Sequence, residues 1–190
     1  QVAWRQGPAV APAAGHRSCR RMPTLVCYFA RVGDLVMFTP VLRALAAQGP
    51  LELCARPWAL PLLGAEPCLQ AIHVIDKPNA PWWQEMLAGR PRRALTAKLR
   101  ARGFDRIVML DRETPGIAAW IRGLAGGTPV VVLPHKAQGQ SGHLVEANIA
   151  ACVAAGIPVA DPAPVLTVPP AARATAAARL APLGGRVIAV

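Results

Sequence analysis

The sequence predicts an α/β fold, a doubly wound parallel sheet of Rossmann-like type. Two observations carry that expectation. From Pro23 onward, short β-type runs alternate with longer helical patterns, which implies βαβ crossovers and a parallel sheet covered on both faces. Apolar residues make up 53% of the 190 residues and charged residues 16%, enough material for a sizeable core.

The elements follow in order. TLVCYFA (24–30) reads as a buried strand, and VLRALAA continues a helix with Phe38, Val41, Leu42 and Leu45 on one face. LELCA (51–55) is a second strand, followed by a short helix from about Trp58 to Leu63. AIHVID (71–76) is a third strand. After the loop KPNAPWW, a basic helix runs from about Gln84 to Ala101. FDRIVML (104–110) is the fourth strand, GIAAWIRGLA (116–125) a helix and TPVVVLP (128–134) the fifth strand. A polar loop (135–142) leads into the helix HLVEANIAACVAAG (143–156); PVLTV is extended, PAARATAAARLAPL helical, and RVIAV a last strand. The expected organisation is an extension over 1–21, a Rossmann-like domain over 22–168, and over 169–190 a helix and strand opening a second unit. The first 21 residues are rich in Pro, Ala, Gly and Arg, lack periodicity and lack the apolar core of a signal peptide; they read as disordered, with Met22 as a natural start. The chain stops inside GRVIAV, and reads as truncated there.

Charge and cysteine usage narrow the function classes. Twenty-one basic against ten acidic residues give a net charge of +11, which suits an anionic partner such as a phosphorylated sugar or an acidic membrane face. No helix-turn-helix, zinc finger or RNA-binding aromatic signature is present, so nucleic acid is not expected. No apolar run approaches the ~20 residues needed to span a bilayer. The five cysteines are widely spaced without a CxxC pair, which argues against a disulfide framework or zinc site and for a reducing cytoplasm. The cations Arg90, Arg92, Arg93, Lys98, Arg100 and Arg102 of the basic helix read as a solvated face, or as a contact with the anionic inner leaflet assisted by Trp82 and Trp83.

In a doubly wound sheet, ligands bind beyond the carboxyl ends of the strands, so the loops 30–35, 55–58, 76–82, 111–116 and 134–143 matter most. The first of them carries a single glycine, Gly33, and so lacks the G-x-G-x-x-G of a dinucleotide site; the chain also lacks a phosphate-binding P-loop, a serine-nucleophile elbow and the HExxH metal spacing. A Rossmann-type oxidoreductase is thereby disfavoured. What the first loop does offer is Asp34, beside Gly33, in an otherwise apolar stretch. Two readings are open: a helix cap, supported by Pro40 as a helix-start signal, or a carboxylate that accepts a proton from a substrate hydroxyl. The glycine allows close backbone approach or a positive φ.

Four segments, ARVGDLVMFTPVLRALAA, LELCARPWALPLL, RARGFDRIVMLDRE and GHLVEANIAACVAAGIP, together resemble the N-terminal half of the ADP-heptose:lipopolysaccharide heptosyltransferases, glycosyltransferase family 9, of GT-B fold. The first matches the family's signature at Gly33, Asp34, Thr39, Pro40, Val41, Leu42 and Leu45. The resemblance covers about 22–190. It implies an inverting transferase that moves heptose from ADP-heptose to the lipopolysaccharide inner core, cytoplasmic and peripheral at the inner membrane. It implies Asp34 as catalytic base. It also implies that the leaving ADP is met by positive charge or helix N-terminal amides in place of a metal, so no cofactor is expected. The acceptor is a phosphorylated saccharide on lipid A, for which Arg31, Gly33, Arg56, Asp111, Arg112, Lys136 and His143 are the expected binding residues. His143 opens a helix and reads also as a structural cap. The family often has a hydroxyl residue and a base where this chain has Ala30 and Arg31, and Gln-Gly where it has Arg112 and Glu113. The donor groups of a GT-B enzyme lie mainly in its second domain, so this chain reads as the acceptor half, inactive alone. The alternative is a Rossmann-like scaffold or binding module with Asp34 as a cap.

Overall fold

The computed structural model describes residues 22–75, 82–110, 114–134 and 142–183; the expected terminal extension and last strand lie outside them. The described strands are β1 (Thr24–Tyr28), β2 (Leu51–Ala55), β3 (Ala71–Val74), β4 (Arg106–Leu110) and β5 (Val130–Leu133). They form one sheet in the order β3-β2-β1-β4-β5, every pair parallel. This is the doubly wound α/β arrangement, with its topological switch between β1 and β4. Each predicted strand within the described residues is present, β2 with the expected bounds and the others shorter by two or three residues.

Period-two alternation divides the core. Val26 and Tyr28 of β1, with Leu53, Val108 and Leu133, point to one face. There they meet α1 (Val32–Met37), α2 (Thr39–Ala46), α3 (Ala59–Leu63) and α6 (Leu144–Ala154). Leu25 and Cys27 of β1, with Cys54, Ile107 and Met109, point to the other face, covered by α4 (Trp82–Arg102) and α5 (Pro115–Ala125). Burial on both faces explains why the strands read as apolar runs. Cys27, Cys54 and Cys152 are buried free thiols, as small apolar residues would be. Burial pushes the Cys152 thiol up to about 11.

One expectation is corrected here. The single helix expected through VLRALAA is two helices, joined at Phe38 (φ −93°, ψ −7°). Pro40, the second residue of α2, has no N–H to offer the Val36 carbonyl, so a continuous helix loses a bond there. The Thr39 hydroxyl donates to Val36 O instead, at 2.8 Å. Phe38 is itself buried, its ring centroid 4.6 Å from that of Tyr28, so the joint is packed into the core. The basic helix carries a largely exposed row of charge, as expected, and three of its cations also have partners in the fold. The Arg92 guanidinium lies 5.2 Å from the centroid of the Trp120 ring, Arg100 Nη2 donates to Gly123 O at 2.7 Å, and Arg102 Nε donates to Glu52 Oε1 at 2.9 Å. Arg92 is half-buried, whereas Arg93, Lys98, Arg100 and Arg102 are all exposed. Among the described residues, no helix is long and apolar enough to cross a membrane.

After α6 the chain runs without secondary structure to α7 (Pro170–Leu180), which has no buried residue, and a 3-10 turn, Ala181–Leu183.

Candidate active site

At the carboxyl edge of the sheet, β1 ends at Tyr28 and the chain stays buried through Phe29 and Ala30. It reaches the surface at Arg31, whose extended backbone (φ −72°, ψ 163°) turns it directly into α1. The neighbouring strand β2 ends at Ala55, and the next residues are Arg56, Pro57 and Trp58. Because β1 and β2 pair in parallel, with Tyr28 opposite Ala55, the two departing segments lie side by side. Between them is a cleft of about 670 Å³ lined by Phe29, Ala30, Arg31, Val32, Asp34, Arg56 and Trp58. Two guanidinium groups and one carboxylate therefore face one space, with excess positive charge.

Asp34 is not the helix cap. Arg31 occupies that position, without a side-chain cap bond, and Asp34 is the acidic residue of the first helical turn. A carboxylate there is favoured by the helix dipole, and the half-buried side chain lines the cleft. Arg56 is half-buried, and its Nε is a buried donor with no hydrogen-bond partner among the described residues. Leaving such a donor unsatisfied costs about 1–3 kcal/mol. Trp58 packs partly on the core beneath while lining the cleft.

The structure thus brings together Arg31, Asp34 and Arg56, three of the residues expected from sequence. Gly33 sits in α1 but does not line the cleft. Its φ is not positive, and a Cβ built there meets no atom within 4 Å, so the backbone itself does not require glycine. His143 is the N-cap of α6 in a capping box: its Nδ1 accepts from Val145 N–H at 3.4 Å, and Glu146 Oε2 accepts from His143 N–H at 3.2 Å. Its structural reading is the one seen. Asp111, Arg112 and Lys136 lie outside the described residues. Sequence reasoning gave Trp58 no role, although the signal was available, an aromatic residue two positions after Arg56 in a strand-end loop.

A second cleft, about 570 Å³, opens at the opposite, amino edge of the sheet, lined by Thr24, Gln48, Gly49, Asp105 and Arg106. Its polar groups are turned on one another. Arg106 Nε donates to Thr24 Oγ1 at 3.0 Å, Arg106 Nη2 to Gln48 Oε1 at 2.7 Å, and Thr24 Oγ1 to Asp105 Oδ1 at 3.3 Å. That network ties the strand starts together.

The fold and cleft define a doubly wound α/β domain with a basic, carboxylate-bearing, aromatic-walled site at the carboxyl ends of β1 and β2. Solved structures that share this fold include glycosyltransferases. The chain is similar to the glycosyl transferase family 9 structure from Veillonella parvula DSM 2008, with a TM-score of 0.61, 14% identity, and coverage of 87% of this chain and 51% of that one. It is similar also to E. coli ADP-heptose lps heptosyltransferase II, with a TM-score of 0.59, 21% identity, and coverage of 84% and 50%. A third is the E. coli heptosyltransferase WaaC with ADP-2-deoxy-2-fluoro heptose, with a TM-score of 0.53, 13% identity, and coverage of 73% and 50%. No family model matches the sequence, and no curated protein matches it. At these identities the shared property is the fold, a Rossmann-like sheet matching one half of a GT-B enzyme. The chain spans about half the length of each of these structures.

Proposed function

We propose that this chain is the acceptor-binding half of an inverting glycosyltransferase that moves heptose from ADP-heptose to the inner core of lipopolysaccharide. The observation that carries the reading is the convergence of Asp34, Arg31 and Arg56 in one cleft at the carboxyl ends of β1 and β2. The overall likeness in fold and the order of the four sequence segments support it.

The cleft's chemistry fits each demand of such a transfer. An inverting displacement needs one base to take the acceptor hydroxyl's proton as the anomeric carbon develops oxocarbenium character. Asp34 is the carboxylate available for that proton. An acceptor bearing phosphate needs fixed cations, and guanidinium groups meet planar oxyanions with paired donors. Arg31 and Arg56 supply them. The Trp58 ring offers an apolar wall to the C–H face of a sugar. In this reading Asp111 and Arg112, which follow β4 in the sequence, and Lys136, which follows β5, complete the acceptor side. Groups that bind ADP come from a second domain, so the 190-residue chain binds acceptor without transferring sugar. Arg93 and Lys98 are among the exposed cations of α4 available to an anionic inner-membrane surface.

The test is transfer of heptose from ADP-heptose to a deacylated inner-core acceptor, assayed with the two-domain protein and with the 190-residue chain. Turnover is expected from the former only, and undiminished by EDTA, since the leaving diphosphate is stabilised by protein groups. Transfer by the 190-residue chain, or loss of all activity on chelation, would contradict those two parts of the proposal.

A further inference from the structure

The Thr39–Pro40 pair belongs to the signature segment, yet neither residue lines the cleft. Thr39 is 3% exposed, and its single hydroxyl makes two hydrogen bonds in opposite senses. It donates to Val36 O of α1 at 2.8 Å and accepts the N–H of Val165 at 3.1 Å. The first bond replaces the one that Pro40 cannot make to the helix bearing Asp34. The second reaches 126 residues along the chain, to an extended strap.

That strap runs from Asp161 to Val168 and is held by side chains rather than by secondary structure. Arg43 Nη2 donates to Asp161 Oδ2 at 3.3 Å and also to Ala163 O. The buried Glu66 carboxylate accepts from the Thr167 N–H and, at 3.2 Å, from its hydroxyl. Immediately beyond, α7 buries none of its residues. The strap's anchors therefore determine where α7 and anything after it are held.

We propose that Thr39 is a positioning residue that couples α1, and with it the Asp34 carboxylate, to the strap that carries α7. The inference rests on the reading of the Asp34 cleft as the active site and adds a mechanical link to it. A strap displaced from Glu66 pulls on Val165, and the Thr39 hydroxyl passes the displacement to the Val36 carbonyl two residues after Asp34. A packed, hydrogen-bonded element whose arrangement both ends bias is the physical requirement for such coupling. In a two-domain enzyme, the same link makes the pose of the base respond to the position of the second domain.

The experiment uses the 190-residue chain and two NMR signals, amide exchange at Val165 and the side-chain carboxyl carbon of Asp34. Thr39→Val removes the hydroxyl at constant shape and is expected to speed Val165 exchange by about tenfold, the loss of one hydrogen bond. Thr39→Ser restores it to within about threefold. Glu66→Gln loosens the strap at a distance, and it is expected to shift the Asp34 carboxyl signal when Thr39 is present but not in the Thr39→Val background. An Asp34 signal unmoved by Glu66→Gln, or moved equally in both backgrounds, overturns the proposal. So does Thr39→Ser behaving like Thr39→Val. If Thr39→Val fails to fold, Glu66→Gln alone still decides whether strap and carboxylate communicate. None of these signals requires sugar transfer, so a failed coupling and a failed transferase assignment are separate results.

Discussion

Asp34→Asn in the two-domain enzyme is expected to lower kcat by roughly 10²–10⁴-fold, the contribution of a positioned general base. The amide keeps the shape of the carboxylate in the first turn of α1 but cannot accept the acceptor hydroxyl's proton. Because Asp34 is not the cap of that helix, stability should change little. What is lost is the favourable placement of a negative charge in a helix's first turn, about 0.3–1 kcal/mol. Acceptor KM should remain near its original value, since the cations Arg31 and Arg56 are untouched. Steady-state kinetics and a melting curve on the same preparation check this. Normal turnover with a large loss of stability would make Asp34 a structural carboxylate and favour the scaffold reading.

The second large effect concerns stability and is expected away from the cleft. Glu52, in β2, is 2% exposed and has both carboxylate oxygens engaged, with His73 Nε2 at 2.7 Å and Arg102 Nε at 2.9 Å. His73, in β3, is 6% exposed. Glu52→Ala leaves the buried His73 imidazole without its partner, while the half-exposed Arg102 guanidinium can turn to water. Removing one partner of a buried hydrogen-bonded pair costs about 3–5 kcal/mol, and for a domain of this size each kcal/mol moves Tm by about 2–4 °C. A fall in Tm on the order of 10 °C is the expected result. Replacing both buried partners, as Glu52→Met with His73→Leu, should recover most of it, because well-packed apolar groups substitute for buried ion pairs at little cost. A Glu52→Ala protein that melts with the wild type would mean that the three side chains do not act as a unit.

The sheet was legible in the sequence because its strands are buried on both faces and therefore read as apolar runs separated by helical periodicity. Arg31, Asp34 and Arg56 could be expected together for a related reason. Residues that follow two strands at their carboxyl ends share an edge once those strands pair in parallel. Tertiary detail escaped wherever it depended on register or on one missing donor. Glu52 looked like an unremarkable residue of a strand, and its partner His73 lies diagonally across the ladder, with Ala71 directly opposite Glu52 and Cys54 opposite His73. The break at Phe38 escaped because the apolar spacing from Phe38 to Leu45 is continuous, while Pro40 marks the start of α2 and not of the helix that carries Asp34. Trp58 escaped because the loops were read for charge. In the basic helix, spacing alone could not show that Arg92, Arg100 and Arg102 have partners within the fold.

The central claim is that the carboxyl-edge cleft, and not the one at the amino edge, receives a phosphorylated saccharide. Mannose 6-phosphate, a compact molecule with both a sugar face and a phosphate, titrated into the isotope-labelled 190-residue chain tests this directly by NMR. The expected result is saturable shifts at the Arg31 and Arg56 Nε–H groups and at the Trp58 indole N–H, weakened several-fold by Arg56→Ala as a charge-assisted contact is lost. Shifts confined to Gln48, Gly49 and Arg106, or no saturable shift at either edge, would contradict it.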